Sequence, residues 1–204
     1  MSMKDRRHAF GAQTYSLLDN VIFFLRAHQV LRRVPPLSGK TIADFGSGYD
    51  CRLLRRLLGN DMSIQGIAVD MDFQESLVDV MNIRLCRNDL NEASTIPSES
   101  IDVCISLAVL EHLDKPQFFL TELYRVLKIG GTAVLTTPGP ASKPLLEFLA
   151  YRLNVIDPHE IEDHKNYFSS SSLKRMFIVA GFLEEHINAK TFIWGMNNVV
   201  TAIK

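Results

Sequence analysis

Residues 41–50 read TIADFGSGYD. Thr41-Ile42-Ala43 has the composition of a short strand, Asp44 ends it, and Gly46 and Gly48 stand either side of Ser47. The next eight letters, CRLLRRLL from Cys51, are helical in pattern, with Asp50 as N-cap and Gly59 at the C′ position. A strand, a glycine turn and a helix in this order bring backbone N–H groups and a helix N-terminus up to a ligand. A tight turn that holds nothing uses the same letters, so the decision rests on the rest of the chain.

Outward from this unit, strands and helices alternate. SIQGIAV (63–69) reads as a strand, Phe73 to Met81 as a helix, and Ile83 to Cys86 as a short strand. IDVCISL (101–107) is apolar enough for a strand buried on both faces. Pro116 to Leu127 is an amphipathic helix stopped by Gly130-Gly131, and Thr132 to Thr136 is the next strand. Such alternation implies right-handed crossovers and a parallel sheet. Toward the end, Phe182–Ile187 and Phe192–Ile203 read as two strands linked at Asn188–Lys190, a link too short for anything but antiparallel neighbours. A further helix is expected from Tyr15 to Arg33, ended by Pro35-Pro36. SSSS at 169–172 reads as a loop and cap.

With 204 residues, one domain is expected. A hydrophobic fraction of 47% suffices for a real core. The net charge of −1 gives no global attraction for nucleic acid. Arg32, Arg33, Arg52, Arg55 and Arg56 have no aromatic residues interleaved in sequence, so they read as a solvated face and no nucleic-acid partner is expected. Cys51, Cys86 and Cys104 are dispersed, which argues against a disulfide framework and a zinc site and fits a reducing compartment. The N-terminal MSMKDRRHAFGAQ has no apolar targeting stretch, and the longest apolar run, Val103 to Leu110, is too short to span a bilayer. A soluble, cytoplasmic protein without a transmembrane segment is expected.

Asp44-Phe45-Gly46 also spells the metal-binding tripeptide of protein kinases. That reading needs a glycine-rich loop, a strand lysine and an H-R-D loop upstream, and the residues before Asp44 contain none of them. The glycine-turn reading gains support at each following strand end. Asp70, followed by Met71, can accept both hydroxyls of a ribose. Asn88-Asp89-Leu90 can meet a base, Asp89 accepting from an amino group and the Leu90 N–H donating to a ring nitrogen; an Asx turn is the plainer alternative.

Taken in chain order, these motifs resemble the class I S-adenosylmethionine-dependent methyltransferases of the small single-domain kind. Asp44-x-Gly46-x-Gly48 resembles the first motif, and Asp70 and Asp89 the acids that follow. Asp102 to Ser106 with Val109-Leu110-Glu111-His112-Leu113, Leu123 to Gly131, and Ala180-Gly181-Phe182 resemble the later ones. The resemblance implies an α/β, Rossmann-like three-layer sandwich: a seven-stranded, mostly parallel sheet with its last strand antiparallel. It implies an N-terminal helical extension over 1–36 and a methyltransferase domain over 37–204, with an acceptor-side insert at about 138–168. S-adenosyl-L-methionine is the implied cofactor. Asp44 would hold the methionine amino group, and Gly46, Ser47 and Gly48 would line its methionine part. Asp70 and Met71 would serve the ribose, Asp89 and Leu90 the adenine, and Ser106 and Leu107 the floor. Asp50 replaces a frequent third glycine and is read as the helix cap. A dinucleotide oxidoreductase would want a glycine at Cys51, and a non-catalytic binding module remains the other alternative. The expected acceptor is a small molecule, a sugar or a lipid-linked precursor. Any base should come from the insert, where His159 and His164 are the candidates; His112 is expected to support the site, and no metal is expected.

Overall fold

The structure, a computed structural model, describes residues 17–74, 82–144 and 165–204. Four helices and seven strands are described: α1 (Leu17–Leu31), β1 (Thr41–Phe45), α2 (Arg52–Leu58), β2 (Gln65–Asp70), β3 (Ile83–Arg87), β4 (Ile101–Leu107), α3 (Pro116–Val126), β5 (Leu127–Pro138), α4 (Ser170–Ala180), β6 (Ile187–Phe192) and β7 (Asn197–Ile203). They build one sheet in the order β3-β2-β1-β4-β5-β7-β6. β1 pairs in parallel with β2 and β4, β2 with β3, and β4 with β5, whereas β7 runs antiparallel to both β5 and β6. The expected seven-stranded sheet with an antiparallel final strand is therefore the observed one. The order reverses between β1 and β4, which opens a crevice at their C-terminal ends.

Strand alternation divides the core into two layers. Ala43, Phe45, Ile67, Val69, Cys104, Leu135 and Val200 face α3 and α4. Ile42, Ala68, Val103, Ile105, Val134 and Val199 face α1 and α2. α3 begins with Pro116 at its first position, where a missing N–H costs nothing, and buries Phe119, Leu120, Leu123 and Val126 on one stripe. Phe119 meets Phe45 edge to face at 5.9 Å, so the residue between Asp44 and Gly46 is a core anchor. α4 is capped by Ser169, whose hydroxyl accepts from the Ser172 N–H, as the serine run implied.

Three sequence expectations change. β6 and β7 lie later than predicted: Leu183 leads into a 3-10 turn at Glu184–His186, Asn188–Lys190 lie inside β6, and the hairpin turns at residues 193–196. β6 is an edge strand whose letters, INAKTF, are half polar, so its apolar signal was weak. Asp50 is not the cap of α2; that position is Cys51, in left-handed conformation and without a side-chain cap bond. α3 ends at Val126 because Leu127 is already extended and paired with Ile101. Of the predicted helix at 73–81, Phe73 and Gln74 are not helical and the remainder lies outside the described residues.

Two of the resemblance-bearing charges turn out to be structural. Arg125 donates through Nε and Nη2 to the nearly buried Glu122 carboxylate at 2.7 Å each, and through Nη2 to the Ile96 carbonyl at 2.7 Å. Glu122 also accepts from the Ser94 N–H and hydroxyl, so the pair fastens the 94–98 loop to α3. Asp102 accepts from the Thr41 N–H at 2.9 Å and from Lys128 at 2.8 Å, which ties the start of β1 to β4. Arg125→Ala leaves Glu122 buried without its cation and should cost about 2–4 kcal/mol. Lys128→Ala, breaking a half-exposed pair, should cost less than about 1 kcal/mol. Urea unfolding of both variants measures this, and equal losses would contradict the assigned roles.

Candidate functional site

Asp44 stands near the end of the central strand β1, on the face shared with Ile42, and is 1% exposed. Neither carboxylate oxygen has a partner at full hydrogen-bond geometry among the described residues; the Leu54 backbone N–H comes near enough only to oppose the rise in its pKa. Burial, with the Asp70 carboxylate adding to it, pushes its pKa up from 3.8 to about 8. An unsatisfied buried carboxylate costs free energy that a fold without a ligand has no reason to carry.

The turn after β1 is built to come close to its surroundings. Gly46 and Gly48 both have left-handed φ, 76° and 74°. A Cβ on Gly46 would lie 2.2 Å from Val109 Cγ2, so the turn and the segment after β4 pack backbone against side chain. The Gly46 N–H donates to the Val69 carbonyl at 2.8 Å, and the Gly48 N–H donates to Asp70 Oδ2 at 2.8 Å. Asp70 Oδ1 accepts from the Met71 N–H at 2.7 Å. Asp70 is thus the link between the end of β2 and the glycine turn, and burial raises its pKa as well. Ser47 is nearly buried, and its hydroxyl accepts from the Cys51 thiol, whose own pKa burial lifts to about 12.

The other predicted residues fall at neighbouring strand ends. Asp89 is exposed after β3, its Oδ1 accepting from the Asn91 N–H and side-chain amide, which is the Asx turn given as the alternative. Leu90 packs against the core beside it, and Met71 is exposed. Ser106 is fully buried and donates its hydroxyl to the Phe45 carbonyl at 2.9 Å, which locks β4 to β1 at the switch point and commits that side chain to structure. Leu107 packs on the α1/α2 layer, and Ala108 follows with φ 58°, an uncommon strain for a residue with a side chain. Asp50 lines a separate groove with Arg52, Arg55 and Arg56. His159 and His164 lie outside the described residues.

A second polar cluster was not anticipated. Glu111, on the 3-10 turn Leu110–His112, is fully buried; its Oε2 accepts from Thr137 Oγ1 at 3.0 Å, and Oε1 has no partner among the described residues. Burial raises its pKa, opposed by His112 and Arg26. Arg26, from α1, donates to Asn197 Oδ1 at 2.9 Å, and burial lowers its pKa while Glu111 raises it. Thr137 is register partner of Asn198, which donates to the Phe168 carbonyl at 2.8 Å and whose buried Oδ1 lacks a partner. The Lys165 and Asn166 N–H groups donate to the Glu111 carbonyl, so the chain re-enters the described fold beside this cluster. The sequence signal was Glu111 itself, a carboxylate directly after the apolar stretch 107–110. Arg26 carried no signal, because its partner lies on β7.

The free protein should show a pH dependence set by Asp44. Folded, this carboxyl keeps its proton up to about pH 8; unfolded, it loses it near 3.8. Its contribution to stability is present below the unfolded value and is lost as pH rises through the folded one. Asp70 and Glu111 act in the same sense. The thermal midpoint without ligand should fall between about pH 5 and about pH 8.5, and Asp44→Asn should flatten that fall. An unchanged slope in the variant would contradict the assignment.

A family model described as "Methyltransferase domain" matches residues 43–135, from β1 through most of β5. A "probable S-adenosylmethionine-dependent methyltransferase" of Mycobacterium tuberculosis is 29% identical over 182 residues, 85% of this chain and 61% of its own. One of the same description from Mycolicibacterium smegmatis is 26% identical over 184 residues, 84% of this chain and 64% of its own. The chain therefore spans less than two thirds of the length of these curated relatives. The crystal structure of an S-adenosylmethionine-dependent methyltransferase from Mesorhizobium loti shares the fold, with a TM-score of 0.65 at 16% identity over 92% of this chain and 100% of that one. The glycine turn after β1, the acids at successive strand ends and the antiparallel β7 agree with these matches: residues 43–135 are similar to a methyltransferase domain, and the chain has the fold of the S-adenosylmethionine-dependent methyltransferases it resembles.

Proposed function

We propose that the chain catalyses methyl transfer to a small-molecule, sugar or lipid-linked acceptor bound over the C-terminal ends of β4 and β5. The observation that carries the cofactor half is Asp44. A buried carboxylate whose oxygens have no partner at full hydrogen-bond geometry among the described residues fits an ammonium group, which supplies charge and donors together. Gly46, Ser47 and Gly48 would line the methionine part, where side-chain-free backbone allows close approach. Asp70, fixed by the Gly48 and Met71 N–H groups, would accept from the ribose. Asp89 and Leu90 would take the adenine, with Met71 and Leu107 packing nearby. S-adenosylmethionine, when bound, supplies a methyl group activated on a sulfonium.

What the protein must add is alignment and dryness. Orientation of two reactants can lower a barrier by about 7–11 kcal/mol. The lock between Ser106 and Phe45, and the packing of Val109 on Gly46, make this corner rigid. On the acceptor side, Glu111 offers a buried oxygen without a partner, and Thr137 and Arg26 lie against it in hydrogen-bond and charge contact. Such a carboxylate would bind a donor on the acceptor or take its proton. His159 and His164 are the further candidates for that proton. Three buried thiols without disulfides fit a cytoplasmic location.

Calorimetric titration with S-adenosylmethionine, S-adenosylhomocysteine and NADH tests this reading. Both sulfur ligands should bind and NADH should not; the reverse pattern would overturn it. Asp70→Ala should weaken the sulfur ligands by more than about tenfold, whereas His164→Ala should change them by less than about threefold. Equal effects would contradict the division of roles.

A further inference from the structure

Away from the crevice, α1 and α2 present one continuous surface. Val21, Phe24 and Leu25 are exposed by 47%, 47% and 43%, and their i, i+3, i+4 spacing puts them on one stripe of α1. Arginines of α2 lie against the same helix. The Arg52 guanidinium is 4.1 Å from the Phe23 ring centroid and 5.4 Å from that of Phe24, and Arg56 is 5.2 Å from Phe24. Arg55 and Arg56 are exposed and line a groove with Asn82, where Asp50 is the single acid among the described lining residues. The aromatic interleaving that the sequence lacks is thus supplied in space, by a helix some thirty residues away. Charge is also uneven along the chain. The first 60 residues hold ten Lys and Arg against four Asp and no Glu, although the whole chain has a net charge of −1.

We propose that this face docks onto an anionic lipid surface, with Val21, Phe24 and Leu25 entering the boundary between headgroups and acyl chains and Arg55 and Arg56 meeting lipid phosphates. An apolar stripe rimmed by cations is the composition that partitions to such an interface. Arginines stacked on aromatic rings keep their charge outward while their stems cover apolar surface. Charge complementarity selects this occupant. A second copy would bring the same arginines against these, and like charges across an interface repel. The chain's own first sixteen residues carry Lys4, Arg6 and Arg7 against Asp5, so they share the sign of the face. No helix among the described residues is long and apolar enough to cross a membrane, and the proposed attachment is a peripheral one made by this face. Arg26 lies on the same helix as the stripe and bonds Asn197 beside Glu111, so a docked protein would hold its acceptor-side cluster near the lipid surface.

Co-flotation with lipid vesicles tests the proposal. The full chain should float with phosphatidylcholine vesicles containing about one third phosphatidylglycerol, and not with phosphatidylcholine alone. Raising salt from about 0.1 M to about 0.5 M should release it. The pairs Phe24→Glu with Leu25→Glu, and Arg55→Glu with Arg56→Glu, should each weaken partitioning by at least about tenfold while S-adenosylhomocysteine affinity and the unfolding midpoint stay unchanged. Equal binding to both vesicle types, or no binding to the anionic ones, would overturn it. So would light scattering that shows a dimer split by the Phe24 pair, or gel-shift binding to a DNA duplex by a protein that ignores vesicles. These readouts are independent of methyl transfer, so failure here leaves the proposed function standing.

Discussion

A carboxylate buried without a partner organises this structure. Asp44 stands near the end of the central strand, and its neighbours on either side serve other demands: Ala43 and Phe45 fill the α3/α4 layer, while Gly46 begins the turn. The chain cannot withdraw Asp44 to solvent without moving β1, which is paired along its length with β2 and with β4. The strain is met instead by keeping the group protonated in the free protein. The second acid, Asp70, is oriented by two backbone N–H groups, one of them from the glycine turn. The proposed cofactor site and the fold are therefore one object. The bond that shapes the turn also positions the acid that would hold the ribose.

Around this centre the sheet separates two kinds of polar residue. Some hold the scaffold. Arg125 with Glu122, Asp102 with Lys128, and Ser106 with Phe45 are paired within the fold and tie its elements together. Others keep buried atoms without a partner among the described residues: both oxygens of Asp44, Oε1 of Glu111, Oδ1 of Asn198 and the hydroxyls of Thr136 and Thr201. Buried polar atoms are normally paired. Asp44, Glu111, Thr136 and Asn198 lie toward the edge of the sheet at which the parallel strands end, where a ligand is proposed to bind. Family resemblance did not distinguish these two groups, because Arg125 and Glu111 both sit in motif positions.

Most of the fold could be read from the sequence because its signals are local. Apolar runs such as IDVCISL, the Pro116 start of α3 and the serine cap of α4 each depend on adjacent residues. β6 failed that test: as an edge strand it needs little apolar content, and its start was mistaken for the turn before it. Asp50 looked like a cap by type and position, but the turn passes through left-handed Cys51 and gives the cap place to a residue with no side-chain bond. The acids proposed for the cofactor side were legible because each stands at or just after the end of a strand. Glu111's environment and the place of Arg26 were not, since both depend on residues far along the chain, Thr137 and Asn197. The same holds for the α1/α2 face, whose aromatic and basic halves are separated in sequence and meet only on folding.

The central claim is that the ligand's ammonium group completes Asp44, converting a neutral buried carboxyl into a partnered carboxylate. Titration of S-adenosylhomocysteine at about pH 6.5, in two buffers of different ionisation enthalpy, measures the protons exchanged on binding. The account predicts release of about one proton per ligand bound, abolished in Asp44→Asn. Tight binding without proton release, or release that persists in Asp44→Asn, would contradict it.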